Sequence, residues 1–176
     1  MENTLHIIAV WTHILGIALF VGPQFFLAFA WVPAARMIPD QRVRAQLTRT
    51  LTRRFGWIGG IGLVLIVLAG GYLIGNWRKY YAQPDDLSFT EIRYGVIFIV
   101  KMMLLLVMLA IVGLHTFMVG PRLADAIDAE VAGTGTAEET RRARMLSMLF
   151  SISGLVLALA IMVLGVMMNT TKFSFQ

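Results

Sequence analysis

Cysteine is absent from this chain, which excludes disulfides, thiolate metal centres and thiol catalysis together. Charge is scarce as well. Only 14% of the 176 residues are Asp, Glu, Lys or Arg, against 58% hydrophobic. A soluble domain of this length would expose too much apolar surface at that composition, so the class is a polytopic membrane protein. Alternating ten-residue segments are missing too, which argues against an outer-membrane barrel and for an all-α fold. No internal repeat or low-complexity segment stands out. The reading is one membrane domain over residues 1–176, a four-transmembrane-helix bundle.

What is present supports that class. Four runs are long enough to cross ~30 Å of hydrocarbon, which takes roughly 20 helical residues. They are about Leu5–Ala35, Gly56–Asn76, Tyr94–Val119 and Leu146–Met168. The first lacks a basic leading region and a small-residue cleavage site, so it is expected to be a retained span.

The net charge of +5 invites a nucleic-acid reading, but the positions of the charges argue against one. Arg36–Arg54 holds six arginines and one aspartate. Gly120–Met145 holds four arginines, and its five acidic residues count for little in orientation. The basic connection 36–55 and the connection 120–145 are therefore expected to be cytoplasmic. Both termini would lie outside a bacterial inner membrane, N-out and C-out. The surplus is a topology signal with some attraction to anionic lipid headgroups. The expected partner is the lipid bilayer, with no nucleic acid.

Local signals fill in the connections. Pro39 suits a first helical position, and the breaker-free run after it predicts a basic helical extension into the second span. Gly133-Thr134-Gly135 marks a turn, and Thr136 with Glu139 forms a capping box for the last helix. Gln83-Pro84-Asp85-Asp86 reads as a turn-rich connector. Trp31, Trp57 and Trp77 fall where indoles sit at membrane boundaries. In the second span, Gly56-x-x-x-Gly60 and Gly71-x-x-x-Gly75, with Gly59, Gly62 and Gly70, predict close helix packing. Pro23 is expected to kink the first helix or release a carbonyl.

Polar groups inside the spans are the functional candidates. Lys101 interrupts a long apolar run, and a charge at that depth costs at least ~2.5–3.5 kcal/mol on insertion scales. His6, His13 and Gln24, spaced seven and eleven apart, share one face of the first helix at ~100° per residue. Lys101 and His115 roughly share a face of the third. At ~1.5 Å per residue, His13 lies about 13 Å and Lys101 about 12 Å below the outer boundary, so the two are level. An outer-leaflet site of His13 and Lys101 with His6 above is the sharpest expectation, with Gln24 and His115 as a separate inner site. Four readings compete for the outer site: a polar brace, a haem, copper, or a subunit packed against a larger complex. Three histidines cannot supply the four ligands of a two-haem wire, so the economical haem version takes one histidine and another ligand. Eleven methionines, several of them toward the outer half (Met102, Met103, Met162, Met167, Met168), suit Cu(I) when combined with imidazole.

Three stretches carry a family resemblance. LHIIAVWTHILGIALFVGPQFFLAFAWVPAAR, RRFGWIGGIGLVLIVLAGGYLI and YGVIFIVKMMLLLV resemble the helices of the copper resistance D-like membrane domain. They also resemble the related HemJ-type, oxygen-independent protoporphyrinogen oxidase. His13, Phe20, Gly22, the Phe25–Phe26 pair and the closing VPAAR fit the first-helix pattern. The HemJ-type resemblance implies His13 and Lys101 as the functional pair and a b-type haem. His13 would ligate the iron, Lys101 would meet an anion or propionate, and His6 and Gln24 would support them. If the chain is an oxidase, the substrate is a porphyrinogen and electrons leave to quinone. Phe20 stands where that branch has tryptophan, and Pro23-Gln24 occupies the region of its arginine. The copper-resistance side implies a copper-handling permease using the same histidine plus methionines. The remaining alternative is an accessory subunit of a respiratory or photosynthetic complex, as a homo- or hetero-oligomer.

Overall fold

The computed structural model describes residues 2–80 and 88–170; the connector at Gln83–Asp86 lies outside the described residues. Among these the regular structure is all helix, with no strand. In order come α1 (Glu2–Phe25), a π-helical turn (Phe26–Trp31), α2 (Val32–Ala35), α3 (Gln41–Gly75) and α4 (Trp77–Tyr80). Then follow α5 (Arg93–Leu114), a second π-helical turn (His115–Val119), α6 (Gly120–Ala132) and α7 (Ala137–Met168). Four continuous helical stretches, Thr4–Ala35, Arg42–Gly75, Arg93–Ala132 and Ala137–Met168, are long and apolar enough to cross a membrane. The chain divides into two compact units, Met1–Ala82 and Gln83–Gln176. Each is an antiparallel helical hairpin.

In the first hairpin α1 packs along α3. The closest approach is backbone to backbone: a Cβ on Gly16 would lie 2.7 Å from the Gly62 carbonyl oxygen, and one on Gly62 would lie 2.7 Å from that of Gly16. Only glycine fits either position. Gly56, Gly60, Gly71 and Gly75, the pairs that the spacing singled out, have no atom within 4 Å of a built Cβ. The correction is one of helical phase. Gly62 sits two residues beyond Gly60, about 200° round the helix, so the motif glycines face away from α1.

Asp40 starts α3 as its N-cap, accepting from the amides of Arg42 at 2.8 Å and Val43 at 3.2 Å. Pro39 therefore precedes the cap instead of opening the helix. The basic extension forms as expected, since α3 runs unbroken from Gln41 through all five of its arginines into the apolar stretch. Pro23 lies inside α1, where it removes the bond to the Leu19 carbonyl. Three residues later the helix widens into its π-turn. Trp31 then ties the two helices together, its indole N–H donating to Thr48 Oγ1 at 3.1 Å.

The second hairpin repeats this plan with other residues. A π-turn again follows the first apolar helix, and a proline again stands at the start of the next one, Pro121 matching Pro33. The connection 120–145 is mostly helix. α6 ends at Gly133, whose φ of +75° is the left-handed conformation that glycine adopts without penalty. Thr136 caps α7 with the full capping box to Glu139. Buried Thr140 donates to the Ala126 carbonyl at 3.1 Å and holds α6 on α7. Gly62-Leu63-Val64-Leu65 of α3 recurs as Gly154-Leu155-Val156-Leu157 of α7, and both glycines face the partner helix of their hairpin.

Candidate functional site

In the first hairpin His13 is the polar group with the most defined seat. Its Nδ1 lies 3.1 Å from the Ile66 carbonyl oxygen on α3. A carbonyl can only accept, so in the neutral ring the proton sits on Nδ1 and the lone pair on Nε2. Gly70, one turn beyond Ile66, makes room for the imidazole: a Cβ there would lie 3.2 Å from His13 Cε1. A ring oriented through Nδ1–H to a backbone carbonyl is the arrangement that prepares Nε2 to ligate a metal.

His6 is half-buried on the same helix, two turns before His13. Gln24 turns its carboxamide onto its own helix, donating from Nε2 to the Phe20 carbonyl at 3.2 Å. That bond supports the backbone one residue after Pro23. His6, His13 and Gln24 therefore belong to the first hairpin, and Lys101 and His115 to the second.

On α5, Lys101 is partly buried against α7. Its Nζ lies 3.4 Å from where a Cβ on Gly165 would stand, so the missing side chain at 165 makes space for the ammonium. Among the described residues no carboxylate pairs with it. Four turns along, His115 opens the second π-turn. Its Nε2 lies 3.0 Å from Ser147 Oγ and 3.4 Å from Ser151 Oγ, both on α7. The ring stacks on Phe150, with centroids 6.5 Å apart and planes at 22°. Lys101 and His115 thus both face α7, as their shared helix face implied.

Sequence reasoning missed the groups that receive these side chains. The Ile66 carbonyl leaves no trace in side-chain chemistry. Ser147 and Ser151 did leave one: two hydroxyls four residues apart in an apolar run form a stripe on one helix face. Among the described residues no three His, Cys, Asp or Glu side chains gather as a metal centre would require.

The family model described as copper resistance protein D matches residues 49–167. No curated protein and no solved structure matches the chain. The matched stretch takes in α3 from Arg49, Lys101 and His115, and it begins after His6, His13 and Gln24. With four apolar helices and a family match over most of its length, the chain is a multi-pass membrane protein that belongs to the copper resistance protein D family.

Proposed function

We propose that the protein handles copper in the bacterial inner membrane, with His13 Nε2 as an imidazole ligand and its arginine-rich connections facing the cytoplasm. The observation that carries this reading is the bond from His13 Nδ1 to the Ile66 carbonyl, which puts the lone pair on Nε2. Thioethers and imidazole together suit Cu(I), and the family name points to the same metal.

A second reading has its own support. Lys101 has no carboxylate partner among the described residues, and an ammonium in an apolar span calls for an anion. A haem b propionate would provide one, and a neutral imidazole would ligate its iron. That is the HemJ-type reading, with a redox role and quinone as electron acceptor. A subunit role in a larger membrane complex is the alternative without a cofactor.

One preparation separates the three. The full chain is purified in detergent, its copper is measured by elemental analysis, and a reduced-minus-oxidised absorption spectrum is recorded. Copper bound by the wild type and lost in His13→Ala, without a Soret band, supports the lead reading. A Soret band with sharp alpha and beta bands, lost in His13→Ala and weakened in Lys101→Met, replaces it with the haem reading. A colourless, copper-free protein that is stable only beside other subunits removes both.

A further inference from the structure

We propose that one face of α3 binds an anionic phospholipid, with Arg49 and Arg53 on the headgroup phosphate and the Trp57 indole just below them. Arg49, Arg53 and Trp57 follow one another at four-residue spacing, so they form a row along the helix with about 5–6 Å between steps. All three are exposed, Trp57 at 72%. The side of α3 that meets α1 carries Gly62 and Ile66, and at ~100° per residue the row lies nearly opposite. Its depth suits a headgroup. The apolar run of α3 begins at Phe55. At ~1.5 Å per residue, Arg53 stands about 3 Å and Arg49 about 9 Å before it, with Trp57 about 3 Å inside. The headgroup layer is about 5–7 Å thick on each side of the hydrocarbon, within reach of both guanidinium groups. An indole at the boundary offers its N–H to the polar part of a lipid.

Charge complementarity names the occupant. Asp40 is the one carboxylate in Arg36–Arg54, and it is engaged on the amides of Arg42 and Val43. Among the described residues Arg53 and Arg54 meet no carboxylate. The start of α7 differs, because Glu138 pairs there with Arg141 and Arg142, each at 2.9 Å. The positive charge of α3 is thus left for an anion outside its hairpin. Guanidinium groups match phosphate oxygens with paired hydrogen bonds. Beside the row, Gly56 and Gly60 have no atom within 4 Å of a built Cβ, which leaves the helix surface below Arg53 open to an acyl chain. A second copy of the chain fits this face less well. Copies in one membrane run parallel, so their arginine rows would repel each other.

The test places the full chain in phosphatidylcholine vesicles that contain a small fraction of brominated phosphatidylglycerol or, for comparison, brominated phosphatidylcholine. Bromine quenches nearby tryptophan, and the share of Trp57 is the quenching lost in Trp57→Phe. Phosphatidylglycerol should quench Trp57 more than phosphatidylcholine at equal mole fraction. That preference should fall about fivefold for each arginine removed, in Arg53→Gln and then in Arg49→Gln with Arg53→Gln. Arg42 shares the face but stands about 20 Å before Phe55, beyond the headgroups, so Arg42→Gln should keep the preference. Equal quenching by the two lipids overturns the proposal. An equal fall in Arg42→Gln also overturns it, since it marks a diffuse attraction that a soluble polyanion would satisfy as well. A disulfide-linked dimer of Gly60→Cys in the same vesicles gives the face to a second copy and overturns the lipid. Should Trp57→Phe not fold, wild type and Arg53→Gln are compared directly: a reduced preference supports the site and an unchanged one overturns it.

Discussion

The two hairpins share one plan and differ in what fills their crossing. In the first, Gly16 and Gly62 bring backbone against backbone. In the second, Gly154 and Gly165 admit side chains: a built Cβ on Gly154 meets Val112 Cγ2 at an ordinary 3.7 Å, and Gly165 faces the end of Lys101. All four tryptophans, Trp11, Trp31, Trp57 and Trp77, belong to the first hairpin. Nine of the eleven methionines (Met102, Met103, Met108, Met118, Met145, Met148, Met162, Met167 and Met168) belong to the second. A tight, tryptophan-bearing hairpin seats one histidine on a backbone carbonyl, whereas the methionine-rich one seats a lysine beside a glycine and a histidine beside two hydroxyls. Helix pairs in lipid gain their association from close packing rather than from a hydrophobic drive, so a crossing sealed by backbone contact is the more brittle of the two.

Glycine substitutions test that difference first and with the largest effect. Gly62→Ala places a methyl group against the Gly16 carbonyl and the Phe20 amide and should cost about 1–3 kcal/mol or more, because backbone must move. Gly154→Ala should stay within about 0.5 kcal/mol. Thermal unfolding of both variants in one detergent measures the gap, and equal losses would erase the distinction between the crossings.

Next come the hydroxyls that tie helices together. Thr140→Val removes the buried bond to the Ala126 carbonyl and should cost about 1–3 kcal/mol, freeing α6 from α7. Thr48→Val removes the acceptor of the Trp31 indole and should cost less, about 0.5–1.5 kcal/mol, because Thr48 is half-buried whereas Thr140 is buried. Hydrogen exchange across 120–132 and 26–36 reads each loss locally. A Thr48 effect larger than that of Thr140 would reverse the ranking.

Caps should matter less again. Asp40→Ala and Thr136→Ala should each cost about 1 kcal/mol, through fraying confined to the first turns of α3 and α7. Calorimetry of the two variants checks that the cost is alike in both hairpins.

The smallest effect concerns the turn before α5. The Ser88 amide donates to Glu91 at 2.7 Å and holds its carboxyl below the usual glutamate range, with help from the Ser88 side chain. A carboxyl with a lowered folded pKa stabilises above its unfolded pKa, and that contribution is lost as pH falls through the folded value. The Ser88 amide resonance should therefore titrate below the ordinary glutamate range, and Glu91→Gln should abolish the transition.

Much of this protein was legible in the chain. The four spans follow from run length, the capping box from Thr136 and Glu139 at the right spacing, and the basic start of α3 from the lack of a breaker after Asp40. Two readings are corrected within the first hairpin, each for its own physical reason. Gly56-x-x-x-Gly60 and Gly71-x-x-x-Gly75 have the right spacing but the wrong phase, and spacing alone does not say which side of a helix meets its partner. Pro39 reads as a helix start, but the cap is decided by which carboxylate reaches the first amides, and Asp40 does.

The sequence by itself determined the membrane class, the four long helices and which polar residues lie inside the apolar runs, because run length and breakers act locally. Only the tertiary structure decided which glycines lie at the crossings and which groups the histidines meet. His13 meets the Ile66 carbonyl, and His115 meets the hydroxyls of Ser147 and Ser151. Those atoms lie tens of residues away along the chain, and only the crossing of two helices brings them within hydrogen-bond reach.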